Sequence, residues 1–152
     1  MKTKLNDSIP QVKLSYSYKQ KASELIKVTD SRESYNVLKG CFDADTIDYR
    51  ESIKCLLLNR SNKVLGVASI CEGGISDAPV DIRIILQAAL LSNASGIILS
   101  HNHPSGNLSP SLDDDKITKK IKEACQVVNI SFLDHIIITS ESYYSYADDG
   151  RI

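Results

Sequence analysis

His101 and His103, separated by Asn102 and followed by Pro104, Ser111 and Asp114, are the residues in this chain whose types and spacing carry the most chemistry. Two imidazoles and one carboxylate suffice to hold a single divalent metal with one position left for water. Structural zinc sites usually close the tetrahedron with four ligands rich in cysteine, whereas catalytic sites keep three and an open corner. A metal held that way lowers the pKa of its water to about 7 and polarises a carbonyl, so the chemistry implied is metal-assisted hydrolysis.

The elements around these residues are built to bring them together. Gly96-Ile97-Ile98-Leu99-Ser100 is a short apolar run rich in β-branched residues and reads as a buried strand ending at the histidines. Alternation along a strand sends His101 and His103 to one side and Asn102 to the other. Residues 104–110 are dense in Pro, Ser, Gly and Asn and form a loop. Ser111 then opens a helix in which Ile117, Ile121, Cys125 and Val128 recur at helical spacing, with Asp114 one turn in.

Blander readings stand beside this one. A lone His-x-His pair also suits packed or surface histidines, and Ser111 with Asp114 matches a Ser-x-x-Asp capping box. The two roles compete only for the Asp114 carboxylate. His135, inside Phe132-Leu133-Asp134-His135-Ile136, reads as a strand residue bonded within the fold, with a fourth-ligand role as the alternative. Lys116, Lys119, Lys120 and Lys122 read as a solvated helix flank before they read as a phosphate-binding strip.

The chain as a whole suits a small enzyme-like domain. Its 152 residues are enough for one core, and 42% hydrophobic with 24% charged residues is ordinary for a globular protein. Eighteen basic against 19 acidic residues give a net charge of −1, which offers nucleic acid or an anionic membrane no broad attraction. Cys41, Cys55, Cys71 and Cys125 form no Cys-x-x-Cys pair and read as core thiols of a reducing compartment. The start lacks the apolar core of a signal peptide, and Ile82 to Leu99 is interrupted by Arg83, Gln87, Ser92, Asn93 and Ser95, so no membrane span is expected and the cytoplasm is the expected location.

Residues 1–11 are expected to be a disordered lead, and Val12 to Tyr18 alternates as a strand would. Ser31 is the expected cap of a helix through about Lys39, stopped by Gly40. Ile53–Asn59 and Val64–Ile70 flank Arg60–Lys63 as a hairpin, and Asp81 to Leu91 repeats as an amphipathic helix. Ile130–Thr139 and Tyr143–Tyr146 supply two more strands.

His-x-His-Pro, six residues and Ser-x-x-Asp together resemble the JAMM signature of the JAB1/MPN metalloprotease superfamily. More narrowly, Ser100-His101-Asn102-His103-Pro104-Ser105-Gly106 and Leu133-Asp134-His135-Ile136-Ile137-Ile138 resemble the RadC-like JAB domains of bacteria. The resemblance runs from about Ile53 through Ala147, with Val12 to Arg50 similar to the extension of short RadC-like proteins. It implies an α+β fold: a single MPN/JAB domain whose central mixed sheet is flanked by helices in a cytidine-deaminase-like layering, with residues 51–152 as the core and 1–50 as an extension packed on or preceding it. It also implies Zn2+ held by His101, His103 and Asp114, with Ser111 stabilising an oxyanion.

JAMM enzymes use a glutamate from an upstream strand as general base. Setting Gly73-Gly74-Ile75 on the family's glycine turn puts Ser69 where that glutamate stands, and the nearest carboxylate is Glu72. Alternation sends residues 69 and 72 to opposite faces unless a bulge intervenes, which the glycines permit. The expected function is a zinc-dependent, metallopeptidase- or isopeptidase-like hydrolase of an amide or peptide substrate, with Glu72 as the candidate base. The alternative is a catalytically silent, zinc-retaining JAB domain that serves as a binding partner or as an accessory to DNA repair or mobile elements.

Overall fold

Every residue of the strand Gly96–Asn102 is buried, which is why it reads as an unbroken apolar run: it lies in the middle of a sheet covered on both faces. The computed structural model describes residues 9–10, 12–13, 15–17, 19–74 and 79–152. Within them the strands are β1 (Ser52–Leu58), β2 (Val64–Glu72), β3 (Gly96–Asn102), β4 (Ser131–Ile138) and β5 (Tyr143–Ser145), and the helices are α1 (Ser31–Lys39), α2 (Ile82–Leu91) and α3 (Leu112–Val127). The strands form one mixed sheet in the order β2-β1-β3-β4-β5. β3 and β4 are parallel, joined through α3, and every other neighbouring pair is antiparallel.

Alternation divides the core between the two faces. Cys55, Leu57, Ile97 and Leu99 meet Ile85 and Ala89 of α2 and Ile121 and Cys125 of α3. Leu56, Leu58, Ile98, Ile136 and Ile138 meet Tyr35 and Leu38 of α1, together with Val28, Phe42 and Ile47. The result is a single α+β domain, with α1 on one side of the sheet and α2 and α3 on the other.

Three register shifts interrupt the alternation, one of them at Leu65 in β2, where Leu57 pairs with Gly66 but Leu58 with Val64. Ile53 pairs with Cys71 but Lys54 with Ser69, so Ile70 is the extra residue in β2. Ile97 pairs with Phe132 but Ile98 with Asp134, so Leu133 is the extra residue in β4. A bulge lets residues three apart share a face. Phe132 and His135 accordingly both look toward α3.

Two local expectations change. The cap of α1 is Asp30, whose side chain accepts from the Glu33 amide at 2.8 Å, and Ser31 is the first helical residue. The carboxylate one position earlier already satisfies the orphan amide, so the Ser31 hydroxyl is free to donate to Asp148. Of the strand expected over 12–18, residues 12–13 and 15–17 are exposed and belong to no strand, and the sheet has β2 and β5 at its edges. Leu14 and Tyr18, like residues 1–8 and 11 of the expected disordered lead, lie outside the described residues.

Candidate metal centre

The parallel crossover β3-α3-β4 brings the end of β3 and the start of α3 to the same end of the sheet. His101 is the penultimate residue of β3, His103 follows the strand, and Asp114 sits in the first turn of α3. His101 Nε2 is 3.1 Å from Asp114 Oδ1, His103 Nε2 is 3.4 Å from Asp114 Oδ2, and the two Nε2 atoms are 2.9 Å apart. One donor atom from each of the three residues falls within 4.8 Å of the others, an arrangement that could hold a metal ion.

The donor set fits a cation for a reason beyond proximity. Both imidazoles turn Nδ1 outward, His103 donating to the Asn107 carbonyl and His101 meeting Nε2 of His135 at 2.8 Å. Their Nε2 atoms are left facing each other and a carboxylate. An imidazole whose Nδ1 carries the hydrogen presents a bare lone pair at Nε2, and two such lone pairs at 2.9 Å repel unless a cation lies between them.

Electrostatics follow the same layout. Burial favours the neutral form of Asp114, but its contacts with His101 and His103 and the bond from the Ser111 amide outweigh it and hold the carboxyl far below its ordinary value. Burial likewise works against charge on His103, yet Asp114, the Asn107 carbonyl and Glu51 together raise it. His135 is held well below the usual imidazole range, first by its complete burial and then by His101 beside it.

Ser111 and Asp114 also form the capping box. The Ser111 hydroxyl accepts from the Asp114 amide at 3.1 Å while the Asp114 carboxylate accepts from the Ser111 amide at 2.7 Å. Capping uses a lone pair of the hydroxyl and leaves its hydrogen to donate elsewhere. Asn102 points to the opposite face and is fully buried there. Its amide donates to the carbonyls of Ile47 and Arg50, and its oxygen accepts from the Ser52 amide and hydroxyl.

A cavity of about 420 Å³ opens over the cluster, walled by Ile53, Val80, Leu99 and Ile117 and lined by His101, Asp114 and Ser111. Glu51, just before β1, lines it along with Asp113 and Asp114, and Glu72 does not. Glu72 sits at the exposed end of β2, ion-paired with Arg50 at 2.5 Å. Ser69 is exposed on the same strand and accepts from Lys54. The bulge at Ile70 puts Glu72 on the face of Ser69, but its cross-strand partner Ser52 bonds Asn102 on the face away from the histidines, so the carboxylate lies outside the cavity.

Glu51 was legible only through topology. β1 runs antiparallel to β3 with Ile53 opposite His101, so the residue just before β1 lands beside the end of β3. The sequence shows a glutamate at the head of a strand; that this strand neighbours the histidines is a tertiary fact. His135 lies on β4 opposite Leu99 and bonds within the fold, outside the three-residue cluster.

A profile of the RadC-like JAB domain matches residues 28–151. The chain is 39% identical over 140 residues to a UPF0758 protein of Flavobacterium johnsoniae, which covers 90% of this chain and 60% of that protein. It is 37% identical over 126 residues to one from Porphyromonas gingivalis, covering 82% and 54% respectively. With one from Aquifex aeolicus it shares 34% over 139 residues, covering 91% and 58%. The chain thus spans somewhat more than half the length of these curated relatives. Among the described residues, no helix is long and apolar enough to cross a membrane.

Proposed function

The chain belongs to the RadC-like JAB domain family, within the JAB/MPN superfamily, and from that premise we propose that it is a zinc-dependent hydrolase of amide bonds in a peptide or isopeptide-like substrate. The observation that carries the reading is the convergence of His101, His103 and Asp114 beside a cavity that His101 and Asp114 line together with Glu51 and Ser111. His101, His103 and Asp114 would hold the metal. A zinc ion there supplies Lewis acidity and a lowered pKa for water.

The remaining work falls to the chain's own groups. Glu51 takes the place first assigned to Glu72: its carboxylate lines the cavity and is close enough to raise the pKa of His103, which suits a group that accepts a proton from water and later returns it to the leaving amine. The spare hydrogen of Ser111 is available to donate to an oxygen that gains negative charge as a carbonyl is attacked. Ile53, Val80, Leu99 and Ile117 keep one side of the cavity apolar, where such interactions gain strength. The silent alternative rested on a serine at position 69. With Glu51 in the cavity, that serine no longer argues for inactivity.

The test combines metal analysis with cleavage of amide-linked peptide pools. One zinc per chain and metal-dependent cleavage are expected. Glu51→Gln should keep the zinc and lose about 10²–10⁴-fold in turnover, while Glu72→Gln changes it little. Full activity in Glu51→Gln, or a protein purified without stoichiometric metal that takes none up, overturns the reading.

A further inference from the structure

Thr118 gives direction to a chain of hydrogen bonds behind the metal centre. Its hydroxyl donates to the Asp114 carbonyl at 2.7 Å. A hydroxyl has one hydrogen, so toward His135 Nδ1, 2.6 Å away, the Thr118 oxygen accepts and the imidazole donates. His135 is fully buried, with only a hydroxyl and another imidazole on its ring nitrogens among the described residues, so it is neutral and its second nitrogen is an acceptor. That Nε2 lies 2.8 Å from His101 Nδ1, which must therefore be the donor. His101 is left with its hydrogen on Nδ1 and a bare Nε2, the atom that faces His103 and Asp114.

Two features of the fold hold His135 in place for this. The bulge at Leu133 turns it toward α3, where strict alternation from Phe132 would turn it away. Tyr146 stacks on its ring at a centroid distance of 5.0 Å and an interplanar angle of 7°, and is itself tied through its hydroxyl to Asp115 at 2.8 Å.

The geometry points to His135 as a positioning residue that, oriented by Thr118, locks His101 in the tautomer able to bind metal through Nε2. The inference rests on the metal-centre reading above, and takes it one shell outward. Hydrogen-bond partners of this kind are typically worth about 10–100-fold in metal affinity.

The test has two independent readouts. Long-range ¹H–¹⁵N correlation spectra of the metal-free protein at neutral pH should show His101 and His135 both protonated at Nδ1. Thr118→Val, which keeps the shape and removes the oxygen, should redistribute the His135 tautomers and with them those of His101, whereas Thr118→Ser should preserve them. Zn2+ affinity, read by chelator competition, should fall about 10–100-fold in His135→Leu and recover substantially in His135→Gln, whose amide oxygen can accept from His101. Thermal melts identify a variant that fails to fold, in which case the Thr118→Val spectrum decides. A wild-type spectrum with His101 protonated at Nε2, or wild-type zinc affinity in a folded His135→Leu, overturns the proposal. A wild-type protein that binds no Zn2+ sinks the metal-centre reading instead, and the metal-free spectrum still judges the direction of the chain.

Discussion

Ser111 is asked to do two things with one hydroxyl, and the arrangement shows that they are compatible. As the cap of α3 it accepts from the Asp114 amide, and as a donor it faces the cavity. Ser111→Ala removes both functions. The lost cap should cost about 0.5–2 kcal/mol of stability in a denaturant melt. The lost donor should cost about 10²–10³-fold in turnover with zinc content unchanged. Ser111→Gly separates the two, because glycine at a cap costs only a few tenths of a kcal/mol while the donor is gone just as completely. Equal activity in Ser111→Gly and wild type would remove the oxyanion role and leave a purely structural serine. Glu51 and Glu72 make the parallel point about carboxylates: their type says nothing of their role, and the face of the sheet on which each lies decides it.

At the scale of elements, the site depends on which strand ends are neighbours. Asn102 joins two of them, since from the face opposite the histidines it grips Ile47, Arg50 and Ser52, the segment that carries Glu51 into the cavity. Asn102→Ala strands the buried Ile47 carbonyl and the partly buried Arg50 carbonyl and Ser52 amide, at up to about 1–3 kcal/mol each when unmet, so a fall in melting temperature is expected. In protein that remains folded, turnover should drop further than zinc affinity, because the proposed base Glu51 is displaced while the three proposed ligands stay. The run Gly96–Asn102, the helix opened by Ser111 and the alternation that splits His101 from Asn102 were all legible in the sequence, because local periodicity and turn chemistry set them. The position of Glu51 was not, because it depends on β1 lying beside β3. Nor was the facing of His135, which a bulge in β4 reverses. Neither register slips nor strand order leave a mark in hydrophobic pattern alone.

For the whole molecule, binding of the proposed metal would be one equilibrium with folding, since His101, His103 and Asp114 come from β3, the loop after it and α3. Zinc at one hundred times its dissociation constant should add about 2.7 kcal/mol of stability, and a chelator should remove it. His103→Ala should melt at the same temperature with or without zinc. Acid should expose the buried relay in the metal-free protein. The folded-state pKa of His135 is depressed by burial and by His101, while the unfolded chain titrates near the ordinary 6.5, so the unfolded state binds the extra proton as pH falls below that value. Stability should therefore decline on acidification from about pH 6.5, by up to about 1.4 kcal/mol per pH unit, and the decline should flatten in His135→Gln. His103 acts in another window, because its raised pKa gives a contribution that is complete below 6.5 and fades at higher pH. The benefit from Asp114 goes only as pH falls below about 3.8. The two thiols sealed between the sheet and its helices have a practical use of their own. Burial, helped by Cys125, pushes Cys55 up to about 12, and burial pushes Cys125 up to about 11, so an alkylating reagent meets a protonated, shielded sulfur until the layers part. Their labelling rate, read by mass spectrometry against the more accessible Cys41 and Cys71, is an internal clock for opening of the core, and zinc should slow it.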